Sequence, residues 1–176
     1  MRPVKRVVLP ADLTDAKNGQ LRPNLLRAIK PLGQLHHLAA DAYGALRAAA
    51  LADGIRPFKP TARPDTYRSY AEQAALFNAR YTTTPIPGQP TKVWEGRRYW
   101  QKPGTAVAAV PGTSNHGLGL AVDIWSASGD RLDWLEANAL TFGFCWEFRS
   151  GAEPWHLVYY RGDDVPKAVA DWKNAR

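Results

Sequence analysis

Between Leu35 and Ala50 the apolar residues Leu35, Leu38, Ala42, Leu46 and Ala50 recur every third or fourth position, the period of a helix with one buried face. Gly54 then supplies a stop. A second helix is predicted from about Tyr70 to Arg80, because Ser69 and Glu72 have the spacing of a capping box, in which each side chain satisfies a free amide at the helix start. Arg68 falls just outside its amino end. Alternation takes over at Leu120, Val122 and Ile124, which interleave with Gly119, Ala121, Asp123 and Trp125. That is the pattern of a strand with one face in the core, and it puts Asp123 on the other face. Asp133-x-x-Glu136, with Trp134, Leu135, Ala139 and Leu140, signals a third helix ending near Gly143. The β-branched and aromatic run Trp155 to Tyr160 reads as a further strand.

The intervening stretches lack such periods. Residues 1–33 mix prolines with short apolar pieces and are predicted to form an arm laid over the domain, with one short helical turn. Residues 82–104, rich in proline and basic residues, read as a long surface insertion loop carrying a small hairpin around Lys92 to Trp100. His36 and His37 are adjacent, so they are expected to point apart and to be surface or capping residues. Helix, helix, strands, helix and strand make an α+β chain, and 176 residues suit a single domain spanning 1–176.

Composition narrows the functions. A 45% hydrophobic content with seven tryptophans supports a real core, and 22% charged residues is ordinary for a soluble protein. The longest uncharged stretches fall far short of the roughly 20 apolar residues that span a bilayer. The basic start has an apolar run that ends at Pro10, so it does not read as a secretory signal. The single cysteine, Cys145, sits between Phe144 and Trp146 and is expected to be a buried thiol; thiolate metal sites and disulfides are thereby excluded. A net charge of +7 favours polyanionic surroundings, either nucleic acid or a phosphate-rich wall. The basic residues are scattered and no nucleic-acid-binding motif accompanies them, so no nucleic-acid partner is expected.

Two of the four histidines lie in the most unusual stretches, Ser114-Asn115-His116-Gly117-Leu118-Gly119-Leu120-Ala121-Val122-Asp123 and Glu153-Pro154-Trp155-His156. Zinc prefers imidazole nitrogen and carboxylate oxygen, and catalytic sites use three protein ligands with a fourth place for water. His116, Asp123 and His156 supply that set. Gly117, Gly119 and Ala121 remove bulk beside them and are expected to leave room for a substrate. Glu153 is the candidate general base, since a carboxylate beside an acidified water can take its proton.

The S-x-H-x-x-G-x-A-x-D pattern at Ser114 to Asp123, the E-x-W-H pattern at Glu153 to His156 and the upstream Tyr67-Arg68-Ser69 resemble the zinc D-alanyl-D-alanine carboxypeptidase and L-alanyl-D-glutamate endopeptidase family, which includes VanY-type enzymes and many phage endolysins. The resemblance implies a hedgehog-like α+β fold with a small antiparallel sheet, one zinc ion, and hydrolysis of an amide next to a D-amino acid in peptidoglycan stem peptides. It also implies that Arg68 stabilises the oxyanion; the alternative is a salt bridge to a helix carboxylate. Ser114 would contact substrate or cap a turn. Gln73 and Trp155 are further substrate-binding candidates, Trp155 being weighted toward packing. A monomer acting at the cell wall is expected, phage-encoded and released from the cytoplasm or carried in a virion. The rival class is a wall-binding or virion structural protein that keeps the fold without turnover.

Overall fold

The computed structural model describes residues 2–148 and 152–176. Met1, where the expected arm over 1–33 begins, lies outside the described residues. The rest of that segment does more than lie over the domain. Leu13, Leu21, Leu25 and Ile29 are buried in the main core. Short 3-10 turns at Ala11–Leu13 and Pro23–Leu25 lead into strand β1 (Leu26–Ala28), which pairs antiparallel with β2 (Gln34–His36). Val4 and Val8 form isolated parallel bridges to Trp146 and Arg161. Prolines break the segment into pieces too short to show a period, which hides its burial from pattern analysis.

Helix α1 (His37–Ala52) buries Ala39, Ala42, Tyr43, Leu46 and Ala50 and stops before Gly54, as the periodicity predicts. Helix α2 (Tyr70–Arg80) begins with the expected reciprocal cap. The Ser69 side chain accepts from the Glu72 amide at 3.2 Å, while the Ser69 amide donates to Glu72 Oε2 at 2.9 Å. Beyond it, β3 (Tyr81–Thr82), β4 (Thr91–Trp94) and β5 (Arg97–Gln101) form an antiparallel sheet in the order β3-β5-β4. The hairpin foreseen within residues 82–104 is therefore present. It has a small core of its own, in which Phe77 stacks on Tyr81 at 4.5 Å and meets Trp94 and Tyr99 edge-on.

Strand β6 (Ala121–Asp123) is followed by α3 (Gly129–Asn138), which starts four residues before Asp133. Asp133 and Glu136 lie inside this helix, so their spacing marks no cap; it arises readily along any charged helix face. A 3-10 turn at Ala139–Phe142 ends at Gly143, with φ 83°. A Cβ there would stand 2.9 Å from the Tyr159 ring. Strands β7 (Phe144–Trp146) and β8 (His156–Tyr159) complete a second antiparallel sheet in the order β6-β8-β7, with Cys145 buried as expected. Helix α4 (Lys167–Asn174) packs on α1, where a Cβ on Gly44 would collide with the Trp172 ring at 2.5 Å. Neither β7 nor α4 was expected, because three fully buried residues and one eight-residue helix carry too little periodic signal.

The architecture is thus α+β, with four α-helices among the described residues. Three small sheets stand among the described residues, where one was expected. No helix among the described residues is long and apolar enough to cross a membrane.

Ser69→Ala removes the acceptor that satisfies the Glu72 amide, and it should lower unfolding stability by about 1 kcal/mol in urea titrations. A midpoint equal to wild type would show that the cap contributes nothing.

Candidate metal centre

Antiparallel pairing of β6 with β8 sets Asp123 directly opposite His156. The same register buries Val122, Leu157 and Val158 in the core. His116 reaches them from the 3-10 turn Asn115–Leu118 that feeds β6. Ser114 caps this turn, its hydroxyl accepting from the His116 amide at 3.2 Å, and Gly119 closes it at φ 65°. The result is a cluster in which Asp123 Oδ1 lies 2.8 Å from His156 Nδ1 and 3.4 Å from His116 Nε2.

Each imidazole is held from its far side. His116 Nδ1 lies 2.8 Å from the Thr66 carbonyl, and the His116 carbonyl accepts from the Arg68 amide. His156 Nε2 lies 2.8 Å from Glu147 Oε2, which also accepts from Asn115 Nδ2 at 3.1 Å. An imidazole that gives one N–H to a fixed acceptor presents its other nitrogen as a lone-pair donor. His116 Nε2 and His156 Nδ1 thus converge on Asp123 as two nitrogens and one oxygen, all within 4.8 Å of one another, and an arriving cation would displace the proton that His156 Nδ1 shares with Asp123. Two imidazoles and a carboxylate suit zinc in number and type.

The cluster's electrostatics follow from its burial. Burial alone would raise the Asp123 carboxyl, yet hydrogen bonds and charge from His116 and His156 outweigh it and hold the group well below the usual carboxylate range. Burial would also lower His156, but Asp123 and Glu147 on either side of the ring push it up to about 9. Glu147 is lowered, chiefly by its hydrogen bond to His156. Asp65 is raised by burial and by the nearby charge of Asp123.

A cavity of about 820 Å³ opens over the cluster. Its wall includes His116, Asp123, His156, Glu153, Arg68, Ser114 and Trp155 from the sequence-predicted set. Arg68 is 8% exposed, and its guanidinium donates to Pro64 O at 2.8 Å, Gln73 Oε1 at 3.0 Å and Asp65 Oδ1 at 3.3 Å. It thus reaches the cavity and an acidic partner together, that partner being Asp65 of the short 3-10 helix Arg63–Asp65. Gln73 is not in the cavity wall. It is 3% exposed, and both ends of its amide are engaged, by Arg68 and by Ala109 O at 2.7 Å, so it braces Arg68. Trp155 is 44% exposed and stands in the cavity wall. Glu153 adopts φ 54°, and its carbonyl accepts from the His156 amide at 3.0 Å, closing a tight turn into β8.

Two expectations are overturned here. Gly117 and Gly119 do not clear space for a substrate. A Cβ on Gly117 would lie 1.9 Å from Asn18 Oδ1, and one on Gly119 would lie 2.6 Å from the His36 amide, so these glycines admit the N-terminal segment and β2 behind the site. His36 is likewise no surface residue, and although it holds the N-cap position of α1 its side chain makes no cap hydrogen bond. It is fully buried and its ring bonds to Asp12. Glu147 and Asp65 were missed because nothing in local spacing separates them from the chain's other acids; only the fold brings them to the cluster.

The profile of a family described as VanY, D-alanyl-D-alanine carboxypeptidase, matches residues 33–163. A D-alanyl-D-alanine carboxypeptidase of Enterococcus faecalis (strain ATCC 700802 / V583) is 30% identical over 127 residues, covering 63% of this chain. The chain spans 42% of that relative's length. Among solved structures, the LdcB LD-carboxypeptidase superposes with a TM-score of 0.59 at 23% identity, covering 89% of this chain and 76% of that one. The vancomycin resistance D,D-pentapeptidase VanY, in complex with Zn(II), gives 0.54 at 23% identity, covering 77% and 78%. These two likenesses establish a shared fold.

The raised affinity of His156 for its proton carries a pH signature. A folded-state value of about 9 against an ordinary 6.5 means that this group stabilises the fold fully below pH 6.5 and that the contribution is lost as pH rises through 9. In chelator-treated protein, the stability gap between wild type and His156→Gln should therefore shrink across that window in urea titrations. A gap that is constant with pH would contradict the Asp123–His156–Glu147 coupling.

Proposed function

We propose, because the chain belongs to the VanY D-alanyl-D-alanine carboxypeptidase family, that it is a zinc-dependent peptidase that removes the terminal D-alanine from peptidoglycan stem peptides. The observation that carries this reading is the turning of both imidazoles. The Thr66 carbonyl and Glu147 hold one nitrogen of each ring, and His116 Nε2, Asp123 Oδ1 and His156 Nδ1 are left facing one another. The Zn(II) complex of the VanY relative and the wall-directed chemistry of LdcB support the metal and the substrate class.

His116, Asp123 and His156 would hold the ion. When bound, zinc supplies Lewis-acid chemistry, polarising a carbonyl and acidifying water toward neutral pH. Glu153 takes the proton of the attacking water on a side-chain oxygen and delivers it to the departing amine nitrogen. Among the described carboxylates of the cavity, Glu147 is occupied by His156 and Asn115, Asp65 by Arg68 and Glu72 by Ser69 and Arg63, which favours Glu153 for that proton. Arg68, fixed by Pro64, Gln73 and Asp65, offers a preorganised positive charge to the oxygen that becomes negative in the tetrahedral intermediate. Ser114 and Trp155 line the cavity as substrate contacts. Residues 1–176 act as one monomeric zinc peptidase domain at the cell wall. Family membership favours the carboxypeptidase over the L-alanyl-D-glutamate endopeptidase and lysis reading, which rests on the sequence resemblance.

Digestion of purified pentapeptide muropeptides, followed by mass spectrometry, should show loss of one terminal D-alanine. A new amino terminus on D-glutamate would mark the endopeptidase instead, and intact peptides with zinc present would leave only a binding protein. Glu153→Gln should retain zinc and lose about 10²- to 10⁴-fold in kcat, the usual span for general acid–base catalysis. His116→Ala should lose turnover together with metal affinity at this site. An unchanged rate in Glu153→Gln would remove that residue from the mechanism.

A further inference from the structure

A second cluster of metal-ligating side chains lies where the N-terminal segment crosses the junction of β2 and α1, and none of its members lines the cavity. Asp12, in the first 3-10 turn, places Oδ1 2.9 Å from His36 Nε2 and Oδ2 2.7 Å from His37 Nε2. The two imidazoles stand 4.3 Å apart between ring centres. Neighbouring residues on a regular strand or helix would point apart. Here the backbone passes from the extended His36 (φ −52°, ψ 140°) into the first residue of α1, and that change of direction lets both rings converge on one carboxylate.

We propose that Asp12, His36 and His37 form a second, peripheral site for a divalent ion with a taste for nitrogen and oxygen ligands, zinc being the natural probe. Two imidazole nitrogens and a carboxylate oxygen, within 4.8 Å of one another, match the ligand types that zinc takes. The imidazole pair disfavours calcium and magnesium, which prefer all-oxygen shells. The His36 side chain is fully buried, whereas those of His37 and Asp12 are 31% and 37% exposed. One ligand is thus anchored in the core and the ion's outer face is open to water, which can complete the shell. The Asp12 turn is tied down independently, since Asp163 Oδ2 accepts from the Ala11 amide at 3.0 Å and adds negative charge beside the cluster. That charge offsets the positive end of α1, which by itself disfavours a cation. An ion here would cross-link the N-terminal segment to the start of α1 and so raise the stability of the whole fold by mass action.

The site stands apart from the proposed catalytic reading, and a His116→Ala background separates the two. Chelator-stripped full-length His116→Ala should bind zinc alone in isothermal titration, saturating at one ion per chain, with a rise in Tm. Adding His37→Ala should weaken that binding by more than the roughly 10- to 100-fold that loss of an outer-shell partner costs. Asp12→Asn, which keeps the shape and one acceptor oxygen, should weaken it too and serves if the His37 variant does not fold. Neither His37→Ala nor Asp12→Asn, made in the otherwise wild-type chain, should alter muropeptide cleavage. Failure of His116→Ala to bind zinc, or binding indifferent to both substitutions, overturns the proposal.

Discussion

One half-buried carboxylate, Asp123, faces two imidazoles whose other nitrogens are already committed, and the site depends on that arrangement. It follows from strand register. Asp123 and His156 are cross-strand partners in β6 and β8, and a slip of either strand by one residue would turn its member of the pair to the opposite face of the sheet, away from the other. Such a slip would also move Val122 or Leu157 out of the core, so the core that stabilises the sheet enforces the geometry of the site. Glu147, just beyond β7, then meets His156 from the other side, and all three strands of this sheet contribute to one cluster.

The remaining contacts hold the third ligand and the charge opposite it. The turn that carries His116 is braced from behind by the N-terminal segment. Asn18 Nδ2 donates to the Ser114 carbonyl at 2.8 Å, and the Gly19 amide donates to Gly117 O at 2.7 Å. These contacts need the bare backbone of Gly117, and Gly119 gives β2 the same close approach at His36. Thr66 and Arg68 grip His116 from the turn that leads into α2, and the same turn aims Arg68 into the cavity. The hairpin between β4 and β5 reaches the opposite wall, where Lys92 donates to the Ala108 carbonyl at 2.6 Å.

Features set by local chemistry were legible in the chain. The capping box at Ser69 and Glu72 located α2, aliphatic alternation located β6, and the two histidine motifs named the three groups that the fold gathers. Features set by long-range packing were not. The burial of Leu13 and Leu25 arises from contacts across the whole chain. Glu147 and Asp65 acquire meaning only when strands and turns meet, and no spacing marks them. The glycines after His116 were read as making room in front of the site, whereas the molecule uses that room behind it. Asp12 is distant in sequence from the histidines that it joins, and the adjacency of His36 and His37 argued against convergence until the strand-to-helix turn was seen.

The most direct measurement is anomalous diffraction at the zinc edge from crystals grown with zinc. The account predicts a peak about 2.0–2.2 Å from His116 Nε2, Asp123 Oδ1 and His156 Nδ1 together, with His156 Nε2 still on Glu147. A zinc ion bound through His156 Nε2, or bound without Asp123, would contradict it.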